Sequence, residues 1–406
     1  MNIKRTIVTA WIALIAVLSL ALPALADGPG AAAWLMAQQN ADGGFGAPAS
    51  TMGATADVLL AAAATGENGL GWAQAGGATA RSFLEANAAS VAKAGEAAKV
   101  ILALVASGAN PRDLGGVDVV AKLEGMVGDD GRIGGEGEFV NEHCYGMIAL
   151  SSVQRPVLAE AVSYLLERQI ADGTWSWNGG TDEGSGDNNT AAMAIVALIA
   201  AGVPADHVQV QKTIEFLREQ QNEDGGFPYI KPSPYGTDSD ANSTAVVMWA
   251  LLAAGEDPAG VNWKVQGRDG HSALDRLRAF QNESGAFRWQ DAVADDNYAS
   301  TVQAVVALEM KTLPFATMNV GSVAEAASVA EAASVAEAAP VTEAASVTEA
   351  ADAETPAEGE PEVLPETGAN LADGLHPWMQ AFALLGGGIA LIGTGLLLRR
   401  RANGQT

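Results

Sequence analysis

Gln221-Asn222-Glu223-Asp224-Gly225-Gly226-Phe227 is the stretch that decides the fold, because it recurs. Gln39-Asn40-Ala41-Asp42-Gly43-Gly44-Phe45, Gln169-Ile170-Ala171-Asp172-Gly173-Thr174-Trp175 and Gln281-Asn282-Glu283-Ser284-Gly285-Ala286-Phe287 keep the same order of amide, turn and aromatic ring. Leu35, Leu165, Leu217 and Leu277 each stand four residues before the glutamine. Asp130-Gly131-Arg132-Ile133 is a weaker copy, and residues 76–92 a weaker one still. Recurrence at this spacing marks a repeat architecture, in which each unit buries its apolar face only against its neighbours.

Around each copy the pattern is helical. The stretch before the glutamine is amphipathic, as in Ile214–Gln221, with charges on one face. The stretch after it is almost wholly Ala, Val, Leu and Ile: Ala54–Gly66, Ala94–Gly108, Asn141–Val153, Asn188–Gly202, Asn242–Gly255 and Tyr298–Met310. Several of these runs start on Asp, Asn, Ser or Thr, which cap helix N-termini, and four stop on Gly, which caps C-termini. Six pairs, one helix amphipathic and one apolar all round, predict an all-α fold: an (α/α)6 toroid with the apolar helices inside. The Asp-Gly is expected to turn the chain, the Gln to satisfy helix-end groups, and the aromatic to pack between repeats.

The glutamine–aspartate–glycine–aromatic signature resembles the repeats of the prenyltransferase and squalene-cyclase superfamily over residues 31–315. That resemblance implies an α/α toroid and raises two enzymatic expectations. Protein prenyltransferases are similar to one another in a zinc site made by Asp-x-Cys-Tyr and a distant His. Glu142-His143-Cys144-Tyr145 has this form with Glu for Asp, so Glu142 and Cys144 are candidate metal ligands. No later inner run begins with His, and the basic cluster for a diphosphate is missing. Class II terpene cyclases share Asp-x-Asp-Asp-Thr-Ala, whose middle Asp protonates an alkene. Asp238-Ser239-Asp240-Ala241-Asn242 makes Asp240 the candidate catalytic acid, but Ala241 stands where the second paired acid belongs. Aromatic residues, which stabilise carbocations, make up only 6% of the chain.

Three acidic-amide patches recur at the starts of the inner runs: Asp187/Asn188, Asp238/Asp240/Asn242 and Asp295/Asp296/Asn297. In a toroid they share one end. Asp187, Asn188, Asp238, Asp240, Asn242, Trp249, Asp296 and Asn297 are therefore the candidate ligand-binding residues, around an apolar funnel. Helix capping is the competing role for the acids. Oxygen ligands in these loops also allow calcium, although Trp249 stands where an EF-hand needs its bidentate Glu.

The ends speak of location. Lys4, Arg5, an apolar stretch from Ile7 to Leu22 and Ala24-Leu25-Ala26 read as a signal peptide over residues 1–26. Leu364-Pro365-Glu366-Thr367-Gly368, an uncharged run over 378–398 and Arg399-Arg400-Arg401 in the tail 399–406 resemble a sortase sorting signal. That resemblance implies cleavage after Thr367, linkage to cell-wall peptidoglycan, and transient anchoring by a transmembrane helix at 378–398. The run has 21 residues, about 30 Å as a helix, which matches a bilayer core.

Between toroid (27–315) and motif, residues 316–363 read as an acidic Ala/Glu/Pro-rich spacer, disordered or partly helical. Its six-residue Ser-Val-Ala-Glu-Ala-Ala period makes no helical stripe. Removing both ends leaves 17 basic against 47 acidic residues, a balance that excludes nucleic acid as a partner. The single Cys144 excludes an intramolecular disulfide. The functional expectation is an exported, wall- or membrane-anchored protein that displays the toroid as a non-catalytic binding or adhesion module. An extracellular enzyme of terpene cyclase or prenyltransferase type, and a structural surface protein without a ligand, are the alternatives.

Overall fold

A computed structural model describes residues 26–135, 139–234, 236–265 and 271–321. The expected sorting motif, the apolar segment at 378–398, the basic tail, the expected signal peptide up to residue 25 and the expected spacer from 322 lie outside the described residues. Among the described residues, no helix is long and apolar enough to cross a membrane.

Twelve α-helices are described, in six pairs. The outer helices are α1 (Gly28–Ala37), α3 (Ala80–Asn87), α5 (Val119–Glu124), α7 (Ala159–Leu166), α9 (Val208–Gln220) and α11 (Ala273–Ala279). The inner helices are α2 (Met52–Ala64), α4 (Ala94–Ala106), α6 (Val140–Ser152), α8 (Asn188–Ala200), α10 (Ala241–Ala253) and α12 (Tyr298–Leu308). Composition sorts them. In α9 the buried residues are Val210, Thr213, Ile214, Leu217 and Gln220, one stripe at helical spacing. In α10 every residue from Ala241 to Leu251 is buried, so only a position surrounded by other helices suits it.

Each inner helix packs on the next, and α12 packs back on α2, so the inner ring closes. The Tyr298 hydroxyl donates to the Ala54 carbonyl (3.2 Å) across that seam. The Lys311 ammonium donates to the Ala64 carbonyl at its other end. The outer seam closes through the last signature: Asp27 N donates to Gln281 Oε1 (2.8 Å), and Gln281 Nε2 donates to Asp27 O (2.9 Å).

The signature residues explain why the repeats stack. Leu35, Leu165, Leu217, Leu277, Phe45, Trp175, Phe227 and Phe287 are fully buried, each worth about 2–3 kcal/mol of transfer free energy. Asp42, Asp172 and Asp224 accept from the backbone N–H two residues on, at 2.9–3.0 Å, and so set the turn. The glutamine does more than the helix-end capping expected of it. Gln39 Nε2 donates to its own turn at Gly43 O and to Trp72 O of the next repeat, both at 2.8 Å. Gln221 bridges Gly225 O (2.8 Å) and Trp263 O (2.9 Å) in the same way. Each glutamine thus staples one repeat to its successor.

The C-caps show one departure. Gly66, Gly108, Gly202 and Gly255 end their helices at positive φ, as the sequence suggests. After α6 and α12 the same backbone turn falls on Gln154 (φ 55°) and Met310 (φ 51°). A side chain there costs about 1 kcal/mol relative to glycine, part of which the greater freedom of unfolded glycine offsets. Gln154→Gly is therefore expected to stabilise the fold by about 0.5 kcal/mol, measured as a rise in the urea midpoint at constant m-value.

The all-α expectation needs one correction. Phe287–Gln290 (β1) and Val293–Asn297 (β2) form an antiparallel hairpin with Phe287 opposite Asn297 and Arg288 opposite Asp296. Its tight turn at Asp291-Ala292 is held by Arg288, whose guanidinium pairs with Asp291 (2.8 Å). Beyond α12 the chain stays on the ring: Met318 N donates to Ser152 O (2.8 Å), and Arg112 Nε donates to Val320 O (3.1 Å).

Candidate functional site

The N-terminal turns of the six inner helices share one end of the ring, and their register matches. The second residues are Gly53, Gly95, Asn141, Asn189, Asn242 and Ala299. The sixth residues are Asp57, Lys99, Tyr145, Met193, Val246 and Gln303. Positions four apart share a helix face. In the first halves of these helices, residual exposure falls mainly at these positions: Gly53, Asp57, Asn141, Asn189, Ala299 and Gln303 are half-buried among buried neighbours. They mark the mouth of the ring, the end where the six N-terminal turns meet.

The mouth is charged on one side and apolar on the other. Lys99 Nζ donates to Asp57 Oδ2 at 2.9 Å and lies 5.2 Å from the Tyr145 ring centre. Burial opposes both charges. For Lys99, Asp57 and Tyr145 outweigh it and hold the ammonium above its usual range. For Asp57, burial outweighs Lys99 and lifts the carboxyl. We take the pair as ionised, because 2.9 Å is the length of a charge-assisted hydrogen bond. Burial also pushes the Tyr145 hydroxyl up to about 12. Met193 and Val246 supply the opposite, apolar side, each 4% exposed. Asn242 joins the next helix: its Nδ2 donates to Gln303 Oε1 (2.8 Å), and its Oδ1 accepts from Ser300 Oγ (2.7 Å).

The acids singled out by sequence sit differently. Asp240 is the N-cap of α10; Oδ1 accepts from Ser243 N (2.7 Å) and Oδ2 from Ser243 Oγ (2.8 Å). Burial lifts it to about 7, against the pull of those bonds. Asp187 caps α8 through Thr190 N and Thr190 Oγ1, both at 2.8 Å, and burial lifts it to about 6. Asn188 faces the following loop, with Nδ2 on Pro228 O (2.8 Å). Asp296 lies on β2 and accepts from Asn282 Nδ2 and Ser284 Oγ, both at 2.8 Å. Asn297 caps α12 through Ser300 N (2.9 Å). Asp238 lies in a cleft of about 450 Å³ lined by Asn222, Asp224, Ser239, Arg276, Gln290 and Asp291. Trp249 is 4% exposed and its indole N–H has no partner.

For the zinc motif, Glu142 reaches back to Phe139 N as a helix cap. Cys144 is fully buried, and burial pushes its thiol well above the usual range, away from the thiolate that zinc needs. Among the described residues, no group of three His, Cys, Asp or Glu is placed to hold a metal ion.

His143 is structural. Its Nδ1 accepts from Ile133 N (2.9 Å) and its Nε2 faces Ala161 O (3.0 Å), which fixes a neutral ring protonated at Nε2. Burial depresses it from 6.5 to about 4. A depressed folded-state value means that stability is complete above the unfolded value and is lost as pH falls from 6.5 through 4. The loss amounts to about 3 kcal/mol. Urea titrations at pH 7 and pH 4 should show this component in the wild type and lose it in His143→Gln.

Residues 138–300 match the family model described as the squalene-hopene cyclase C-terminal domain. A squalene–hopene cyclase of Zymomonas mobilis subsp. mobilis is 34% identical over 146 residues, covering 32% of this chain and 21% of that protein. The chain thus spans about a fifth of that relative's length. Among solved structures, the type II terpene cyclase MstE from Scytonema aligns at 16% identity and TM-score 0.48, covering 70% of this chain and 95% of that one. An ent-copalyl diphosphate synthase from Streptomyces platensis aligns at 16% identity and TM-score 0.41, covering 64% and 50%. Over residues 138–300, then, the chain is similar to the C-terminal domain of squalene–hopene cyclases, and its fold is a squalene-cyclase-like α/α toroid.

Proposed function

We propose that the chain is a cell-surface toroid that binds a ligand at the mouth of its ring without transforming it. One observation carries this reading. Each oxygen of Asp240 accepts a bond from Ser243 in capping α10 and the residue is only 3% exposed, which favours an acid built into the helix start over one presented to a substrate. The polarity of the mouth comes from Asp57, Lys99, Asn141, Asn189 and Gln303, a set suited to hydrogen bonding. The reading is tested by incubating the purified chain with squalene and with geranylgeranyl substrates. Unchanged substrate is expected, and cyclised product that disappears in Asp240→Asn would overturn it.

A second reading, a cyclase-like enzyme, is favoured by one observation. Asp240 falls inside the segment similar to squalene–hopene cyclases and is lifted to about 7, so a large fraction carries a proton at neutral pH. The same incubation decides between the two.

Surface display rests on the sequence of the ends. By this reading a sortase joins Thr367 to peptidoglycan, and the acidic spacer holds the toroid clear of the wall. Thr367→Ala should move the protein from the covalently wall-bound fraction to the membrane fraction. A Thr367→Ala protein still linked to the wall would refute the sorting proposal.

A further inference from the structure

After every other inner helix the chain turns outward into the next outer helix, but α12 is followed by a strap. Met310, at φ 51°, ends the helix, and residues 311–320 run across the base of the ring, the end opposite the mouth. Their bonds trace the path. The Lys311 ammonium donates to the carbonyl of Ala64, the last residue of α2. Thr312 Oγ1 donates to Trp249 O of α10 (2.7 Å). Met318 N donates to the carbonyl of Ser152, the last residue of α6 (2.8 Å). Arg112 Nε, from the segment between α4 and α5, donates to Val320 O (3.1 Å). In the closed ring α6 stands three places from α12 in either direction. The strap therefore spans the base from one side to the other, and bonds both neighbours of α12 on the way.

Its hold weakens along its length. Leu313 is 3% exposed and belongs to the core of the ring. From Ala316 burial alternates: Ala316, Met318 and Val320 are half-buried against that core, and Thr317 and Asn319 are exposed. This is the pattern of an extended segment lying on a surface. Val305 and Ala307 of α12 are, by contrast, fully buried. Segments with little buried apolar surface open at a lower free energy than the core. Release of the far end also strands no charge, because Arg112 keeps Asp118 at 2.8 Å when Val320 leaves. The chain continues from Gly321 to Thr406. Tension from that side enters at Val320, the end farthest from α12, and loads the contacts one after another. We propose that residues 311–320 are a clasp across the base of the ring, which tension on the C-terminal side peels back reversibly while the ring stays closed. The source of tension in the cell rests on the reading of the C-terminus as a surface anchor, and the clasp itself rests on the bonds above.

The test applies the tension directly, so its outcome does not depend on whether a sortase anchors the chain. The full-length chain in mild detergent is held in magnetic tweezers between Thr406 and Glu215→Cys, a substitution on the exposed face of α9. The native Cys144 is fully buried and does not compete for the handle. Two steps are expected. The first adds about 30 Å of contour length, the extended length of residues 312–320, and reverses when the force is relaxed. The second, at higher force, opens the ring. Met318→Pro removes the N–H that Ser152 O accepts and should speed the first step about tenfold at a given force, with the second unchanged. Leu313→Ala empties a buried seat and should speed the first step about a hundredfold. Should Leu313→Ala not fold, Met318→Pro decides alone. A single step that opens clasp and ring together would overturn the proposal, as would a first step that neither variant moves. Variants that speed both steps alike, or a Met318→Pro protein that does not fold, would make the strap part of the ring's own closure and overturn it too.

Discussion

Lys99→Met should cost about 3–5 kcal/mol, the largest effect expected of any single change in the lumen. The substitution keeps the length and volume of the side chain and removes only the charge. Asp57 is then left without its cation at a side-chain exposure of 16%. Breaking a buried pair from one side leaves an uncompensated charge whose solvation the low-dielectric interior does not replace. The partner change fixes the interpretation. Asp57→Leu with Lys99→Met removes both charges, and stability should return to within about 1 kcal/mol of wild type, because well-packed apolar residues replace buried pairs at little cost. A double variant as unstable as the single one would show that Lys99 acts through packing. Urea unfolding of the four proteins in one cycle measures this.

Gly225→Ala should cost about 3 kcal/mol and Gly66→Ala only about 1, although the two glycines have the same backbone geometry, with φ of +88° in each. The difference is what a Cβ meets. At Gly225 it would lie 2.6 Å from Ser272 O and 2.7 Å from His271 O, the backbone of the next repeat. At Gly66 nothing lies within 4 Å. The first substitution therefore adds steric separation of two repeats to the cost of left-handed backbone, and the second pays only for the backbone. Equal losses at the two sites would mean that the turns do not hold the repeats together. The same close approach recurs where the ring shuts, with a Cβ at Gly285 falling 2.5 Å from Gly30 O.

Much of this architecture was written in the repeat. The six inner runs fall within about two residues of the observed helices, because Ala, Val and Leu on every face leave no solvated stripe and because caps such as Asp187, Asp240 and Gly202 mark both ends. The hairpin at 287–297 was not legible: its residues follow an aromatic that ends a turn everywhere else, and short strands depend on tertiary support. The mouth was legible as a place. Asp187 and Asp240 stood out as acids, and the structure gives them the capping role that the sequence weighed against ligand binding. Asp57 and Lys99 were passed over because each is one charge in an apolar run. The signal that finds them is the register itself: both are the sixth residue of an inner helix, and adjacent helices of the ring bring those positions together.

The most direct test of the central claim, that the mouth binds and does not transform, is native mass spectrometry of the protein released from the surface of its own cells. The account predicts a retained small molecule, the same in the wild type and in the Asp240→Asn protein. A cyclised hydrocarbon product in its place, lost from the Asp240→Asn protein, would contradict it.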